Sequence, residues 1–429
     1  MRLRSVAGTT TRCAVTALCT TVIPVPSAVA QARCSQPAAE AIVHIELPGH
    51  PFTPIPTRDG CWIFVSLDNR KGEPPSGVAV LRRTAGKTML ERVVRTQRGP
   101  EGMVLTHDEK ILIGAVDDRL VFLDVPRLIS GARGSSAVLG YLRLPEYHGH
   151  LNEMKVDAPG AVYVNVTRDD RFLFETEEWA GRITVIDLAK ARASGFSASA
   201  IVGTVSTGAL PIALTFSPDE RYLYSTSEAA ATDWGWPAEC KPEGQDPATA
   251  RVQFPQGAVV VVDVSRAKTD PMNAVVAKVP AGCSPVRLVI SPGGDVVYVT
   301  ARNSNALMAF DTRKLVTDSS HALLGAVPVG VSPVGVEVAD DGRKVVVANS
   351  NRFARGNVPG TLSVIDASMV SQGAAAVLGT LPAGGFPREI RVTDAGQTVL
   401  VTNFATKTLQ LIDLSRAKLN AGGRELGIR

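Results

Sequence analysis

Short runs of alternating hydrophobic and polar residues, broken by Gly, Pro and Asp, dominate the chain. The stretch from Ser284 to Thr312, SPVRLVISPGGDVVYVTARNSNALMAFDT, contains three such runs, and a Pro-Gly-Gly turn separates the first from the second. Alternation of this kind is typical of β-strands, and Gly and Asp favour tight chain reversal. The stretch therefore predicts a hairpin followed by a third strand.

The same order of elements occurs seven times: Pro, a strand, a polar turn, a second strand, a connection, and a third strand that ends near Asp. The seven turns are Thr57-Arg58-Asp59-Gly60, Thr106-His107-Asp108-Glu109, Thr167-Arg168-Asp169-Asp170, Ser217-Pro218-Asp219-Glu220, Ser291-Pro292-Gly293-Gly294, Ala339-Asp340-Asp341-Gly342 and Thr393-Asp394-Ala395-Gly396. A recurrence on this scale is the signature of a repeat architecture.

The second strand of each unit is almost continuously apolar, as in Val296 to Ala301 and Lys344 to Ser350. Such strands are buried on both faces of a sheet. A fourth strand, such as Val275 to Pro280, leads to the next Pro. A sheet with two apolar faces needs a neighbour on each side, and closing the sheets into a ring supplies both. We predict an all-β fold, a seven-bladed β-propeller of four-stranded antiparallel blades.

The last unit lacks a fourth strand, because the tail from Ser415 to Arg429 reads as helical or irregular. A strand-like segment, Ala41 to Leu47, precedes the first unit and resembles the fourth strands of the others. We therefore expect this N-terminal strand to complete the seventh blade and close the ring.

Tyr298-Val299-Thr300, Leu400-Val401-Thr402-Asn403 and the segments GTLSVIDAS and TLQLIDLSRA resemble the YVTN-repeat family of seven-bladed propellers, which includes lactonase-like bacterial propellers. The resemblance covers essentially all of residues 31–429, which we take as a single domain. It implies the fold more strongly than an activity, because propellers host many functions. One possibility is a binding scaffold for a protein, peptide, glycan or small molecule; the alternative is hydrolysis of a small cyclic ester at the channel mouth.

Residues 1–30 have the features of a secretory signal peptide: three Arg, an apolar stretch, and Ala28-Val29-Ala30 before the expected cleavage point. Cleavage would change the charge from 45 − 41 = +4 to 42 − 41 = +1. A nearly neutral chain is not expected to bind nucleic acid, and no later segment predicts insertion into a membrane. We expect an exported monomer, periplasmic or secreted.

Four Cys remain after residue 30, an even number that favours disulfides in an exported chain. Cys240 lies in the long connection of the fourth unit and Cys283 in the loop that follows this unit. A Cys240–Cys283 bridge would hold the connection over the channel mouth. Cys34 precedes the closing strand and Cys61 begins a strand of the first blade, so a second bridge between them would lock the ring. The alternative for both pairs is free thiols.

Long loops on one face are candidate binding elements, because extended loops on a rigid scaffold often carry function. They are 68–76, 146–160, 176–181, 228–257 and 351–360. Trp179, Trp234 and Trp236 lie in these loops and could contact a ligand or partner, or pack the insertion onto the ring. Arg352, Phe353 and Arg355 add cationic and aromatic groups, with a solvated turn as the alternative.

Charged residues interrupt the first strands, which line the channel of a propeller. They are Arg287, Glu337, Glu389 and Arg391. Opposite charges that face each other across a wet channel would pair; alternatively, they form a polar floor for a ligand.

The sequence contains no G-x-S-x-G, C-x-x-C-H, H-E-x-x-H or P-loop motif. His148 and His150 with Glu153 form the densest His cluster, but the spacing is a weak metal signal, so we predict neither a metal nor a cofactor. Catalytic residues stay unknown. Glu153, Glu389 and His148 are the weak candidates, because a carboxylate or imidazole could activate water for ester hydrolysis.

Overall fold

The computed structural model describes residues 34, 36–68, 76–131, 136–151, 154–246, 248–354, 358–394 and 396–420. The predicted signal peptide, Glu153 and Arg355 lie outside them. The strands in chain order are β1 (Ile42–Glu46), β2 (His50–Pro56), β3 (Trp62–Asp68), β4 (Gly77–Thr84), β5 (Lys87–Arg95), β6 (Met103–Leu105), β7 (Ile111–Val116), β8 (Arg119–Asp124), β9 (Val138–Arg143), β10 (Gly149–Leu151), β11 (Met154–Val156), β12 (Ala161–Val166), β13 (Phe172–Glu177), β14 (Arg182–Asp187), β15 (Ile201–Ser206), β16 (Ala209–Phe216), β17 (Tyr222–Ala229), β18 (Ala238–Cys240), β19 (Phe254–Pro255), β20 (Ala258–Asp263), β21 (Val275–Pro280), β22 (Pro285–Ile290), β23 (Val296–Ala301), β24 (Ala306–Asp311), β25 (Leu323–Pro328), β26 (Pro333–Ala339), β27 (Lys344–Asn349), β28 (Pro359–Asp366), β29 (Val377–Gly385), β30 (Pro387–Thr393), β31 (Thr398–Asn403) and β32 (Thr408–Asp413).

These strands form seven four-stranded antiparallel blades in a ring, which confirms the predicted propeller. Blades 1 to 7, from the inner strand outward, are β2-β3-β4-β5, β6-β7-β8-β9, β12-β13-β14-β15, β16-β17-β20-β21, β22-β23-β24-β25, β26-β27-β28-β29 and β30-β31-β32-β1. Two small hairpins, β10-β11 and β18-β19, decorate the connections. The connection proposed at 176–181 is not an insertion, because β13 extends to Glu177 and β14 begins at Arg182.

The ring closes as the sequence predicts. Strand β1 pairs antiparallel with β32, from Ile42 opposite Ile412 to Glu46 opposite Thr408. The disulfide Cys34–Cys61 joins the segment before β1 to the start of blade 1. Residues far apart in sequence therefore complete one sheet and hold the first blade against the last.

Short helices follow the third strand of several blades. They are α1 (Val125–Ser130), α2 (Leu188–Ala193), α3 (Val264–Ala267) and α4 (Thr312–Thr317), with 3-10 turns at Ala198–Ala200, Thr232–Trp234, Pro271–Asn273, Arg302–Ser304, Ser319–His321, Asp340–Gly342 and Ala367–Ala376. Asp124, Asp187 and Asp263 each accept a hydrogen bond from the backbone three residues on. The recurrent Asp at the end of the third strand is therefore an N-cap, which satisfies a backbone N–H that the helix leaves open.

A buried hydroxyl connects most neighbouring blades near the channel. The Thr300 hydroxyl donates to the Val334 carbonyl of the next blade at 2.7 Å and accepts from the Arg287 amide at 3.2 Å. The same inter-blade bond is made by Ser66, Thr176, Thr226 and Thr402. Blades 2 and 6 carry Ala115 and Ala348 at this position. The threonine of the repeat motif thus satisfies backbone groups that the bulged inner strand leaves unpaired.

Candidate functional site

Two cavities of about 230 Å³ each lie along the axial channel, and Arg287 lines both. The upper chamber opens on the face that carries the long connections; it is lined by Glu101, Val162, Glu178, Ile212, Glu228, Arg287, Arg302, Val334, Arg352, Phe386 and Arg388. The lower chamber is lined by Tyr163, Asn165, Ala213, Leu214, Thr215, Arg287, Leu288, Val289, Val336, Glu337, Glu389 and Arg391.

The four charged residues predicted to line the channel come together in the wall of the lower chamber, and Arg287 also lines the upper one. The Arg287 Nε lies 2.9 Å from the Glu389 carboxylate, and the second Glu389 oxygen is 3.1 Å from Arg391. Arg391 also reaches Glu337 at 3.9 Å and the Tyr163 hydroxyl at 3.3 Å. Arg287 stacks over the Tyr163 ring, 4.8 Å from its centroid. This layer forms a charged partition across the channel.

The partition fixes the charge state of its members. Burial raises the pKa of Glu389, but the attraction of Arg287 and Arg391 outweighs it, so the pKa lies below its ordinary value. Burial raises the pKa of Glu337 to about 7, against a weaker opposing attraction from Arg391. Burial, together with Glu389, raises the pKa of Tyr163 to about 12. Glu389 is therefore a carboxylate held ionised by two guanidinium groups, which makes it a weak proton acceptor.

The charged residues of the upper chamber divide by blade. Carboxylates come from the side of blades 2 to 4 and guanidinium groups from blades 5 to 7: Glu101, Glu178 and Glu228 against Arg287, Arg302, Arg352 and Arg388. We call these sets the acidic arc and the basic arc. They meet at the blade 4–5 boundary, where Arg302 lies 2.8 Å from Glu228. The chamber is therefore polarised from one wall to the other.

The long connection of blade 4 forms part of the chamber rim. The disulfide Cys240–Cys283 ties it to the loop that leads into blade 5, as predicted. Glu243 in this connection lies 2.7 Å from Arg302, which is almost completely buried, and the Asn303 amide donates to the Lys241 carbonyl at 2.7 Å. A covalent bond and a buried ion pair thus hold the connection in place.

Aromatic and guanidinium groups stack on the basic side of the mouth. The Arg388 guanidinium lies 3.8 Å from the Phe52 ring centroid, and Arg352 lies 5.6 Å from that of Phe386 and 5.0 Å from that of Phe353. Phe386 adopts a φ of 50°, a left-handed conformation that is unfavourable for a bulky residue. The residue before the inner-strand Pro has the same conformation in blades 4, 5 and 6, at Leu210, Ser284 and Ser332, so this strain is a feature of the repeat.

The three loop tryptophans lie elsewhere, since none lines either chamber. The Trp179 ring packs over Gly160, where an added Cβ would be 2.9 Å from the indole. Trp234 and Trp236 contact each other edge to face, with centroids 5.2 Å apart, and pack against a hydrophobic cluster from blades 3 and 4. All three are half-buried, and their contact with a ligand stays a prediction.

His148 lies on an exposed hairpin connection, 3.1 Å from Asp157, and lines neither chamber. The structure does not bring it to Glu389 in a common cavity. Over the described part of the chain, no group of three His, Cys, Asp or Glu could hold a metal ion. Within the same residues, no helix is long and apolar enough to cross a membrane.

Sequence reasoning singled out Arg287 and Arg352 but missed the other charged residues of the upper chamber, although the repeat contains a signal for them. Glu178, Glu228 and Arg302 each lie two residues after the hydroxyl that links neighbouring blades, at Thr176, Thr226 and Thr300. Arg388 directly follows the Pro that opens the inner strand. Aligning the repeats at these two positions would have revealed the rim.

No protein-family model and no curated protein matches the sequence. Among solved structures, the fold is similar to a chain of hydrazine synthase from Kuenenia stuttgartiensis, with a TM-score of 0.60, 14% identity, and 88% of this chain and 98% of that chain covered. It is also similar to a chain in the crystal structure of a mitotic checkpoint complex, with a TM-score of 0.59, 11% identity, and 86% and 93% covered. At these identities the similarity extends to the propeller fold alone, and membership of the YVTN-repeat family stays a prediction.

Proposed function

We propose that this protein is an exported binding propeller whose ligand site is the upper chamber. The observation that carries the proposal is the chamber itself: a cavity of about 230 Å³ at the mouth of a rigid ring, lined by charged side chains from six blades. Concave, preformed cavities on a rigid scaffold are the usual places for ligand sites, and the charged lining of this one favours a polar ligand.

The rim supports the same function. A disulfide and the buried Arg302 pairs fix the blade 4 connection, which reduces the ordering cost that a ligand would otherwise meet. Two disulfides are also typical of proteins that fold in an oxidising compartment, which supports export. Hydrolysis has less support, because Glu389 is held by two Arg and His148 lies outside both chambers.

The test is thermal denaturation of the protein with small molecules grouped by charge. A ligand at one hundred times its Kd stabilises the folded state by about 2.7 kcal/mol, which for a protein of this size raises the Tm by about 3 °C or more. We expect at least one charge class of small molecules to raise the Tm by this amount.

Val334→Phe and Val162→Phe, which fill the upper chamber, should abolish the shift, because both side chains line it. Val289→Phe in the lower chamber is the matched control and should retain it. The proposal fails if no class raises the Tm, or if the rise persists in both chamber-filling variants.

A further inference from the structure

The lower chamber is a second cavity with its own opening. Alternate residues of an inner strand face the channel, so the polar lining of the chamber falls into two tiers. The tier next to the upper chamber is buried; it contains Tyr163, Ala213, Arg287 and Glu389. The tier nearer the hairpin turns is half-exposed; it contains Asn165, Thr215, Val289, Glu337 and Arg391. The chamber is therefore reached from the face of the ring opposite the long connections.

The charged groups of the lower chamber neutralise one another. Glu389 lies between Arg287 and Arg391, at 2.9 Å and 3.1 Å, and Glu337 lies 3.9 Å from Arg391. When both carboxylates are ionised, their two negative charges balance the two guanidinium groups. An ion that entered the chamber would lose its hydration without meeting an unmatched opposite charge, and this makes its binding costly.

Hydrogen-bonding groups that carry no full charge, or share theirs only weakly, remain open to the same chamber. The Asn165 Oδ1 accepts from the following backbone amide at 2.8 Å, but its Nδ2 has no hydrogen-bond partner among the described residues. Over the same part of the chain, the Thr215 hydroxyl has none either. The Glu337 Oε1 accepts from the following backbone amide at 3.1 Å, and its Oε2 lies 3.9 Å from Arg391, beyond hydrogen-bond distance. Blades 3, 4 and 6 thus offer a donor, a hydroxyl and an acceptor.

From this arrangement we infer that the lower chamber is a second ligand site, separate from the proposed upper one, for a small neutral polyhydroxy molecule of the polyol or monosaccharide class. A hydroxyl group both donates and accepts hydrogen bonds. Several hydroxyls of one molecule can therefore satisfy the Asn165 Nδ2, the Thr215 hydroxyl and the Glu337 Oε2 together, and the molecule brings no charge that would disturb the balanced ion pairs.

The rest of the lining and the size of the chamber agree with this class. Apolar side chains suit the C–H groups of a polyol; they are Leu214, Leu288, Val289 and Val336. A volume of about 230 Å³ corresponds to about eight water molecules at ~30 Å³ each. The chamber therefore has room for one small molecule and not for a folded segment of a partner protein.

Isothermal titration calorimetry at pH 8, above the pKa of about 7 of the Glu337 carboxyl, tests the inference. The neutral probes are sorbitol and glucose. Gluconate and glucuronate are their anionic analogues, and glucamine is the cationic analogue of sorbitol. We expect at least one neutral probe to bind about tenfold or more tightly than its charged analogues.

Variants assign the binding to the lower chamber. Val289→Phe, which fills this chamber, should abolish binding of the neutral probe, and Val334→Phe in the upper chamber is the control that should retain it. Thr215→Val removes one hydrogen bond to the ligand and should weaken binding about 2- to 10-fold, whereas Thr215→Ser keeps the hydroxyl and should retain binding. The fold does not depend on this hydroxyl, because no described residue bonds to it. Thr204→Val, in the outer strand of blade 3, is the matched control.

The outcomes separate this site from the proposed upper one. The inference is wrong if neither neutral probe binds, if a charged analogue binds as tightly, or if binding persists in Val289→Phe or is equal in Thr215→Val and Thr215→Ser. Binding that Val334→Phe abolishes and Val289→Phe retains would place the ligand in the upper chamber; it would support the proposed function and overturn this inference. If the lower chamber binds nothing and another compound raises the Tm through the upper chamber, only the present inference fails.

Discussion

The hydroxyl bonds between blades lead to a quantitative prediction for Thr300→Val. The substitution keeps the shape of the side chain and removes its hydroxyl. Thr300 is fully buried, and its hydroxyl accepts from the Arg287 amide at 3.2 Å and donates to the Val334 carbonyl at 2.7 Å. Both backbone groups lose their partner in the variant.

The cost follows from the number of groups that are left unsatisfied. A buried polar group without a hydrogen bond costs about 1–3 kcal/mol. Val334 and Arg287 both line the upper chamber, where water can partly solvate the freed backbone groups, so the two groups together cost less than twice the fully buried maximum. We therefore expect Thr300→Val to lower the free energy of unfolding by about 2–4 kcal/mol, with only a few tenths recovered from the β-propensity of Val.

Urea denaturation of the oxidised protein, followed by tryptophan fluorescence and circular dichroism, measures the change. Thr204→Val is the matched control, because Thr204 is half-exposed in the outer strand of blade 3. We expect the control to stay within about 0.5 kcal/mol of the wild type, as surface substitutions usually do. A Thr300→Val variant as stable as the Thr204→Val control would refute the structural role assigned to the motif threonine.

Three further predictions concern the disulfides, the channel and catalysis. Cys240 and Cys283 are 43 residues apart, so loss of their bridge in Cys240→Ser/Cys283→Ser should cost about 4 kcal/mol by chain entropy and lower the Tm; an unchanged Tm would contradict this. The folded state raises the pKa of Glu337 from 4.5 to about 7, so its contribution to stability is complete at acid pH and is lost as the pH rises through 7. Between pH 4.5 and pH 8, the free energy of unfolding of the wild type should therefore fall by about 3 kcal/mol more than that of Glu337→Gln, measured by urea denaturation. Parallel pH profiles of the two proteins would show that Glu337 does not cause the pH dependence. Since Arg287 and Arg391 keep the Glu389 carboxylate ionised, Glu389→Gln should leave any lactone hydrolysis unchanged in a direct rate assay, and a loss of more than tenfold would restore Glu389 as a catalytic candidate.

The fold could be predicted almost completely from local sequence. Turns such as Ser291-Pro292-Gly293-Gly294 reverse the chain, and the apolar strands on either side can be satisfied only between two neighbouring sheets. The pairing of β1 with β32 followed from the one unit that lacked its fourth strand. The two disulfides followed from this topology. The hairpin β18-β19 was missed, because strands of two or three residues give no periodic signal.

The site was less predictable. Arg287 and Glu389 stood out because charges interrupted apolar strands, and the structure pairs them. The tryptophans also stood out, yet all three lie away from the chambers. A bulky side chain in a loop has the same sequence signature whether it packs on the ring or faces a ligand, and only its neighbours in space distinguish the two cases.

The sequence by itself determined the repeat, the number of blades and the closure of the ring, because these depend on alternation and turns within about fifty residues. The tertiary structure decided which charges share a wall. Glu178 and Arg388 line one chamber although a large part of the chain separates them, and each belongs to its arc only because the ring brings blade 3 opposite blade 7. Electrostatic fields add up over distance in space, so the polarity of the chamber exists only once the ring has closed.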